Sequence, residues 1–190
     1  MNNLDTAKSC PVILVVDDEP FTLATLTREI RGRYSSGYRV LSASSAEEGL
    51  GLIDRIVADG HDIALLIADQ WMPSATGIDF LVEAHSLCPK AKRALLIDYG
   101  DPTTGPHILQ AMALGRIDYY VSKPWAPADD LLHPTITELL SEWTRANRQR
   151  VPMISILAEK GDQRGRELQD LLSRNAIPCV YHSALSVEGE

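Results

Sequence analysis

Three apolar runs in this chain each end in residues that carry charge. The first ends in Asp17 and Asp18, the second in Asp69 and the third in Lys123. Short apolar runs separated by helix-like segments are typical of parallel strands, whose carboxyl ends meet at one edge of a sheet. We therefore expect four side chains that are far apart in the sequence to lie together.

The chemistry of such a site follows from its charges. Carboxylates that are crowded together repel one another, and a hard cation such as Mg²⁺ relieves that repulsion. A lysine that faces the same cluster adds a positive charge for an incoming phosphoryl oxygen. Carboxylates, Mg²⁺ and an ammonium group together indicate phosphoryl transfer onto a carboxylate.

The elements that must position these residues alternate along the chain. A first helix is predicted from Pro20 to Arg33, with Phe21 on its apolar side, and Ser45 and Glu48 match a capping box that opens the second helix. The predicted strands cover about 12–16, 38–42, 63–68, 93–97 and 119–122. Further helices are predicted at about 78–86 and 107–114 and around Ile136, Leu139, Leu140 and Trp143.

Four motifs occur in order between residues 10 and 147. They are Val15-Val16-Asp17-Asp18-Glu19-Pro20, Asp69-Gln70-Trp71-Met72-Pro73 with Gly77, Tyr99-Gly100-Asp101, and Ile117-Asp118-Tyr119-Tyr120 before Lys123-Pro124-Trp125. In this order and spacing they resemble a response-regulator receiver domain of the CheY-like superfamily. The resemblance implies an α/β fold with a flavodoxin-like, doubly wound, five-stranded parallel sheet.

The resemblance also implies a role for each matching acidic residue. It makes Asp69 the phosphoacceptor and, with Asp18, a direct ligand of the cofactor Mg²⁺. Asp17 would reach the metal mainly through water, and the main-chain carbonyl of Trp71 would supply a further ligand.

Three more roles follow from the fourth motif, which ends in Lys123-Pro124-Trp125. Lys123 would contact the phosphoryl group, and Tyr120 stands where the family places its aromatic switch residue. The bond before Pro124 would be a cis peptide, for which proline carries little cost.

Structural explanations compete with these roles. Asp17 and Asp18 precede Pro20 and could cap the first helix. Asp69 could open a turn before Met72-Pro73. An aromatic residue such as Tyr120 is commonly a half-buried strand residue.

The chain departs from the family pattern at the switch. Aligning residues 95–101 on the common family run puts Ile97 where a signalling Ser or Thr stands and Asp98 where a small residue stands. Ile97 has no hydroxyl to bond a phosphoryl oxygen, and Asp98 adds negative charge beside a group that would itself carry about two. We predict that phosphoryl chemistry survives while the usual relay is altered or absent.

The segment that follows also differs. Residues 101–107 are about three longer than usual, and their two prolines and one glycine are expected to disturb the start of the fourth helix. Thr103 or Thr104 could offer a replacement hydroxyl, although the sequence places neither at the site.

Length and composition limit the remaining possibilities. The chain has 190 residues and a net charge of -8, which provides no basic patch for nucleic acid, and its apolar runs are too short for a membrane span. Its three cysteines, Cys10, Cys88 and Cys179, are widely separated and lack zinc or dithiol spacing. With no visible signal peptide, these features predict a cytoplasmic protein.

The chain exceeds one receiver by roughly forty residues. We predict a receiver domain at 1–147, a linker at 148–152, and a strand-helix-strand extension at 153–190. Such a unit buries its apolar faces poorly, so it should pack on the receiver, pair with a copy in a homodimer, or begin a truncated second domain, which we favour. Residues 166–178 resemble the segment that joins a receiver to a thioredoxin-reductase-like flavoprotein module in fusion proteins.

Two functions from different classes remain. The first is a two-component receiver that takes a phosphoryl group from a histidine kinase or phosphotransfer protein and acts as a regulatory phosphoacceptor, not an enzyme. The alternative is a pseudo-receiver that signals by protein binding alone. A Mg²⁺-dependent aspartyl phosphatase is disfavoured, because such enzymes place Asp-x-Asp after the first strand, where this chain has adjacent Asp17 and Asp18.

Overall fold

The computed structural model describes most of the chain. The described residues are 10–98, 100, 104–147, 154–158, 162–174 and 179–183. The predicted linker at 148–152 and Tyr99 and Asp101 of the third motif lie outside them. The chain divides into two compact units, Met1–Arg145 and Ala146–Glu190, and each is described by itself.

The first unit alternates five strands with five helices. Its strands are β1 Val12–Val16, β2 Arg39–Ala43, β3 Ile63–Asp69, β4 Lys92–Asp98 and β5 Tyr119–Lys123. Its helices are α1 Pro20–Tyr34, α2 Ala46–Ala58, α3 Gly77–Leu87, α4 Thr104–Ala113 and α5 Leu132–Asn147. The predicted strands are confirmed to within a residue or two.

All neighbouring strands in this sheet are parallel, and their order is β2-β1-β3-β4-β5. This order is that of the flavodoxin-like doubly wound fold. Every residue of β1 and β3 is buried, as expected for central strands that helices cover on both faces. The fold predicted from the sequence is therefore confirmed.

Two apolar cores lie on opposite faces of the sheet. One joins alternate strand residues to α2, α3 and α4, and includes Phe80 and Ile108. The other joins the remaining strand residues to α1 and α5, and includes Leu26 and Trp143. Phe21 belongs to neither, because its side chain is 77% exposed at the start of α1. Its predicted place on the buried side of that helix was wrong.

The first helix begins at Pro20 as predicted, but its capping residue is neither of the two aspartates considered for that role. Glu19, and neither preceding aspartate, caps α1 by accepting a hydrogen bond from the Thr22 N–H at 3.1 Å. In α2, Ser45 accepts from the Glu48 N–H as expected, while the Glu48 carboxylate reaches back to Ser44. These hydrogen bonds from Ser44 lower the pKa of Glu48.

The fourth helix begins three residues before its predicted start at His107. Gly105 and Pro106 lie in the first turn of α4, where the missing N–H of a proline removes no helical hydrogen bond. The expectation that Pro106 would disturb the start of this helix was wrong.

The second unit contains β6 Ile154–Ala158, α6 Gln163–Arg174 and β7 Cys179–Ser183. The two strands pair in parallel, so α6 is the crossover between them. Leu168 and Leu171 on this helix are 44% and 58% exposed, respectively. Across both units, no helix within the described residues is long and apolar enough to cross a membrane.

Candidate functional site

The strand ends bring the predicted charged residues together. Asp69 and Lys123 are the last residues of β3 and β5, and Asp17 directly follows β1. Carboxylate oxygens of Asp17, Asp18 and Asp69 lie within 4.8 Å of one another. The juxtaposition arises from parallel topology, which stacks the carboxyl ends of β1, β3 and β5 along one edge.

Lys123 connects two of these carboxylates. Its Nζ donates to Oδ1 of Asp69 at 2.5 Å and to Oδ2 of Asp17 at 3.1 Å. The remaining oxygens accept main-chain hydrogen bonds, Asp17 Oδ1 from the Glu19 N–H and Asp69 Oδ2 from the Trp71 N–H. The side chains of Asp17 and Asp69 are therefore held in position by groups from three separate segments, at the ends of β1, β3 and β5.

Burial makes the charge in this site costly. Asp17 is fully buried and Asp69 is 7% exposed, whereas Asp18 is not buried. Burial raises the pKa of the Asp69 carboxyl above its ordinary value, although Lys123 opposes the shift. Burial favours the neutral form of Lys123, but the carboxylates of Asp69 and Asp17 outweigh it and raise the pKa of the ammonium group. The lysine therefore stays charged at neutral pH.

The donor set fits Mg²⁺. Three carboxylates supply hard oxygen atoms, and one lysine leaves two of their negative charges unmatched. Asp18 has the most accessible of the three carboxylates, since Asp17 and Asp69 are both buried. A bound Mg²⁺ would neutralise negative charge that develops on phosphoryl oxygens.

A close contact with Gly77 fixes the end of β3. The N–H of Gly77 donates to the carbonyl of Gln70 at 2.9 Å. A Cβ on Gly77 would stand 2.2 Å from the main-chain oxygen of Asp69, so any larger residue would displace the end of β3. The glycine of the second motif is thus required by packing against the main chain of Asp69.

The three predicted switch residues lie near the site in different environments. Ile97 is partly buried and packs against the core formed with α2, α3 and α4. Asp98 is exposed and lies opposite Lys123 in the β4–β5 register. Tyr120 is 37% exposed, and its ring stacks on Tyr119 with the centroids 6.0 Å apart.

The sequence reading missed a pocket beside Lys123. The pocket has a volume of about 570 Å³ and opens between the start of α1 and the segment after β5. The residues that line it are Phe21, Thr22, Thr25, Asp98, Lys123, Pro124, Trp125 and Ala126. The peptide bonds before Pro124 and Pro127 are both cis. No local sequence pattern indicates this pocket, because its lining comes from α1, from the ends of β4 and β5 and from the segment after β5.

Comparison with known proteins identifies the family. The family model of the response regulator receiver domain matches residues 13–135, more than half of the chain. The chain belongs to this family. As a receiver domain, it is a regulatory module of two-component systems, and receiver domains of this family interact with histidine kinases or phosphotransfer proteins.

Relatives with longer sequences share the receiver region. The hydrogenase transcriptional regulatory protein HoxA of Cupriavidus necator is 32% identical over 115 residues, which are 60% of this chain and 21% of that protein. The positive alginate biosynthesis regulatory protein of Pseudomonas aeruginosa is 32% identical over 171 residues, 88% of this chain and 61% of that protein. This receiver domain chain thus spans only part of each relative.

Solved structures agree with the fold. A CheY-like response regulator receiver domain from Methanospirillum hungatei is 30% identical with a TM-score of 0.58, covering 73% of this chain and all of that one. The response regulator TrrA from Thermotoga maritima, solved in complex with Mg²⁺-BeF, is 27% identical with a TM-score of 0.51. That match covers 68% of this chain and 98% of TrrA.

Proposed function

We propose that this receiver domain accepts a phosphoryl group on Asp69 from the phosphohistidine of a histidine kinase or phosphotransfer protein. The contact between Lys123 Nζ and Asp69 Oδ1, inside the cluster of three carboxylates, carries the proposal. It places an ammonium group beside the atom that would attack phosphorus. The acidic cluster around it supplies the oxygen ligands for Mg²⁺.

The transfer is an in-line displacement. An oxygen of Asp69 forms a bond to phosphorus while the phosphorus–nitrogen bond of the phosphohistidine breaks, and the imidazole leaves with the electron pair and takes up a proton. Lys123 would follow the phosphoryl oxygens as their charge increases, and Asp17, Asp18 and the Trp71 carbonyl would hold Mg²⁺. Hydrolysis of the acyl phosphate then returns Asp69 to its free carboxylate.

Acetyl phosphate with Mg²⁺ and intact-mass measurement tests the acceptor. The wild-type chain should gain one phosphoryl group, and Asp69→Asn should gain none. Asp54→Asn, which changes an exposed carboxylate on α2, should behave as the wild type. A phosphorylated Asp69→Asn variant would contradict the assignment.

The alternative function is a pseudo-receiver that binds partners without phosphorylation. The packing of Ile97 against the core favours it, since no hydroxyl at this position can follow a phosphoryl oxygen. Absence of any mass gain in the wild type, with acetyl phosphate or with a phosphorylated histidine protein, would select this alternative.

The output is proposed to bypass the usual hydroxyl relay. In a complex with Mg²⁺ and beryllofluoride, we expect the Tyr120 ring to keep its exposed position beside Tyr119. An inward rotation of Tyr120 in that complex would show that the relay operates without a hydroxyl at Ile97. The fused flavoprotein module and the homodimer stay predictions of the sequence.

A further inference from the structure

The edge that holds Asp69 carries one carboxylate that phosphoryl chemistry does not use. Asp98 is the last residue of β4, and its main chain is in register with that of Lys123. Neighbouring strands lie about 4.8 Å apart, so Asp98 stands one strand away from the lysine that contacts Asp69.

Side-chain alternation fixes the face to which Asp98 belongs. Leu96 and Val121 lie in the core formed with α1 and α5. Asp98 and Lys123 each follow one of these residues by two positions, so they belong to the same face of the sheet. Both residues line the 570 Å³ pocket, which joins that face to solvent, and they are the two charged side chains among its described lining residues.

Asp98 adds a negative charge that the other groups at this edge do not balance. The charges of three carboxylates and one ammonium group sum to an excess of two negative charges, which one Mg²⁺ would cancel; these groups belong to Asp17, Asp18, Asp69 and Lys123. Asp98 then remains as an unmatched negative charge beside Lys123, on an exposed side chain with no ion pair among the described residues. Its field extends over roughly one Debye length, about 10 Å at 0.1 M salt.

We propose that Asp98 is a specificity-determining residue that disfavours small, highly charged phosphodonors at Asp69 by electrostatic repulsion. This inference rests on the proposed function. A donor that approaches Lys123 with two negative charges meets twice the repulsion of a donor with one. A phosphohistidine presented by a protein can offset that repulsion with its own contacts, so the charge favours protein donors over free acyl phosphates.

Two donors of different charge test the inference with Mg²⁺ present. Acetyl phosphate is a dianion at neutral pH, and phosphoramidate carries one net negative charge. In both, an Asp69 oxygen bonds to phosphorus while the bond to the leaving group breaks, which releases acetate from acetyl phosphate and ammonia from phosphoramidate, whose monoanion already carries the proton that the nitrogen needs. Asp98→Asn should raise the rate with acetyl phosphate about threefold to tenfold and the rate with phosphoramidate by roughly the square root of that factor.

Controls separate charge from shape. Asp98→Glu keeps the charge and should react at nearly the wild-type rate, and Asp54→Asn removes a remote charge and should have no effect. Raising the salt concentration to 1 M, where the Debye length is about 3 Å, should remove most of the gain in Asp98→Asn. Equal gains with both donors, or a gain that persists at 1 M salt, would overturn the proposal.

A binding measurement tests the same charge without any phosphorylation. Tryptophan fluorescence, with Trp125 in the pocket that Asp98 lines, can follow titration with Mg²⁺. Asp98→Asn should weaken Mg²⁺ binding about twofold to fivefold at low salt, while Asp54→Asn should not change it. If the wild type accepts no phosphoryl group, the proposed function is wrong. An unchanged Mg²⁺ affinity in Asp98→Asn would overturn the electrostatic role of Asp98, whether or not the wild type is phosphorylated.

Discussion

Asp17 is a fully buried carboxylate, and its position depends on the residues that donate to it. One oxygen accepts from the Glu19 main chain and the other from Lys123 Nζ. A buried charge without a partner costs several kcal/mol in proteins, so the lysine should contribute to stability in addition to its proposed role in phosphoryl transfer.

Lys123→Met should reduce the free energy of unfolding by about 2–3 kcal/mol at neutral pH, because it leaves Asp17 and Asp69 without their counter-charge. The carboxylates raise the folded-state pKa of Lys123, so its contribution is complete below the unfolded-state value and is lost as pH rises through the folded-state value, above 10.5. Urea denaturation at a series of pH values measures the difference between variant and wild type.

Lys92→Met is the matched control for this measurement. Its ammonium group pairs with Glu142 at 2.5 Å, but both side chains are partly exposed, so the loss should be under about 1 kcal/mol. A loss in Lys123→Met that is no larger than this, or that persists unchanged at alkaline pH, would contradict the structural role assigned to Lys123.

At the scale of elements, the position of Asp69 depends on how closely α3 approaches β3. Gly77 is the first residue of α3 and lies against the main-chain oxygen of Asp69. The helix start is fixed independently by Thr76, whose hydroxyl accepts from the Asp79 N–H at 3.2 Å. A side chain at Gly77 must therefore move either α3 or the end of β3.

Gly77→Ala should destabilise the fold by about 2 kcal/mol or more and slow phosphorylation of Asp69, because its Cβ cannot fit at 2.2 Å from the Asp69 oxygen. Thermal unfolding and the acetyl phosphate reaction measure the two effects. Gly51→Ala is the control: it lies inside α2 with open space around it and should stabilise the fold by about 0.5–1 kcal/mol. Equal behaviour of the two variants would refute the packing argument.

At the scale of the whole molecule, the two units differ in how much core they contain. The first has two apolar cores, one on each face of its five-stranded sheet. The second has two paired strands and one helix, on which Leu168 and Leu171 are exposed. A two-stranded sheet of this size is marginal by itself, so we expect the second unit to contribute little stability.

A chain that ends at Asn147 should keep the free energy of unfolding of the full chain within about 1 kcal/mol, since the described residues of both core clusters belong to the first unit. A peptide of residues 146–190 should show little stable structure by circular dichroism. Strong destabilisation of the shorter chain would instead favour packing of the extension on the receiver, and a change in its oligomeric state would favour the homodimer.

Much of the fold could be predicted from local patterns of apolar and polar residues in the sequence. Apolar runs with short polar breaks located β1 and β3, because central parallel strands are buried on both faces and need apolar side chains throughout. The acidic strand ends and Lys123 followed from the same pattern. The start of α4 did not, since Pro106 is a helix breaker in most positions and is harmless only in the first turn that it occupies here.

The sequence by itself determined the family, the strand order that the family implies, and the identities of Asp17, Asp18, Asp69 and Lys123 as the charged set. Only the tertiary structure decided which atoms meet, such as Lys123 Nζ with two different carboxylates. It also decided that Phe21 is exposed and that Asp98 shares a pocket with Lys123. The physical reason is that residue type and hydrophobic periodicity are local properties of the sequence. Burial and charge balance depend instead on contacts between segments about a hundred residues apart in the chain.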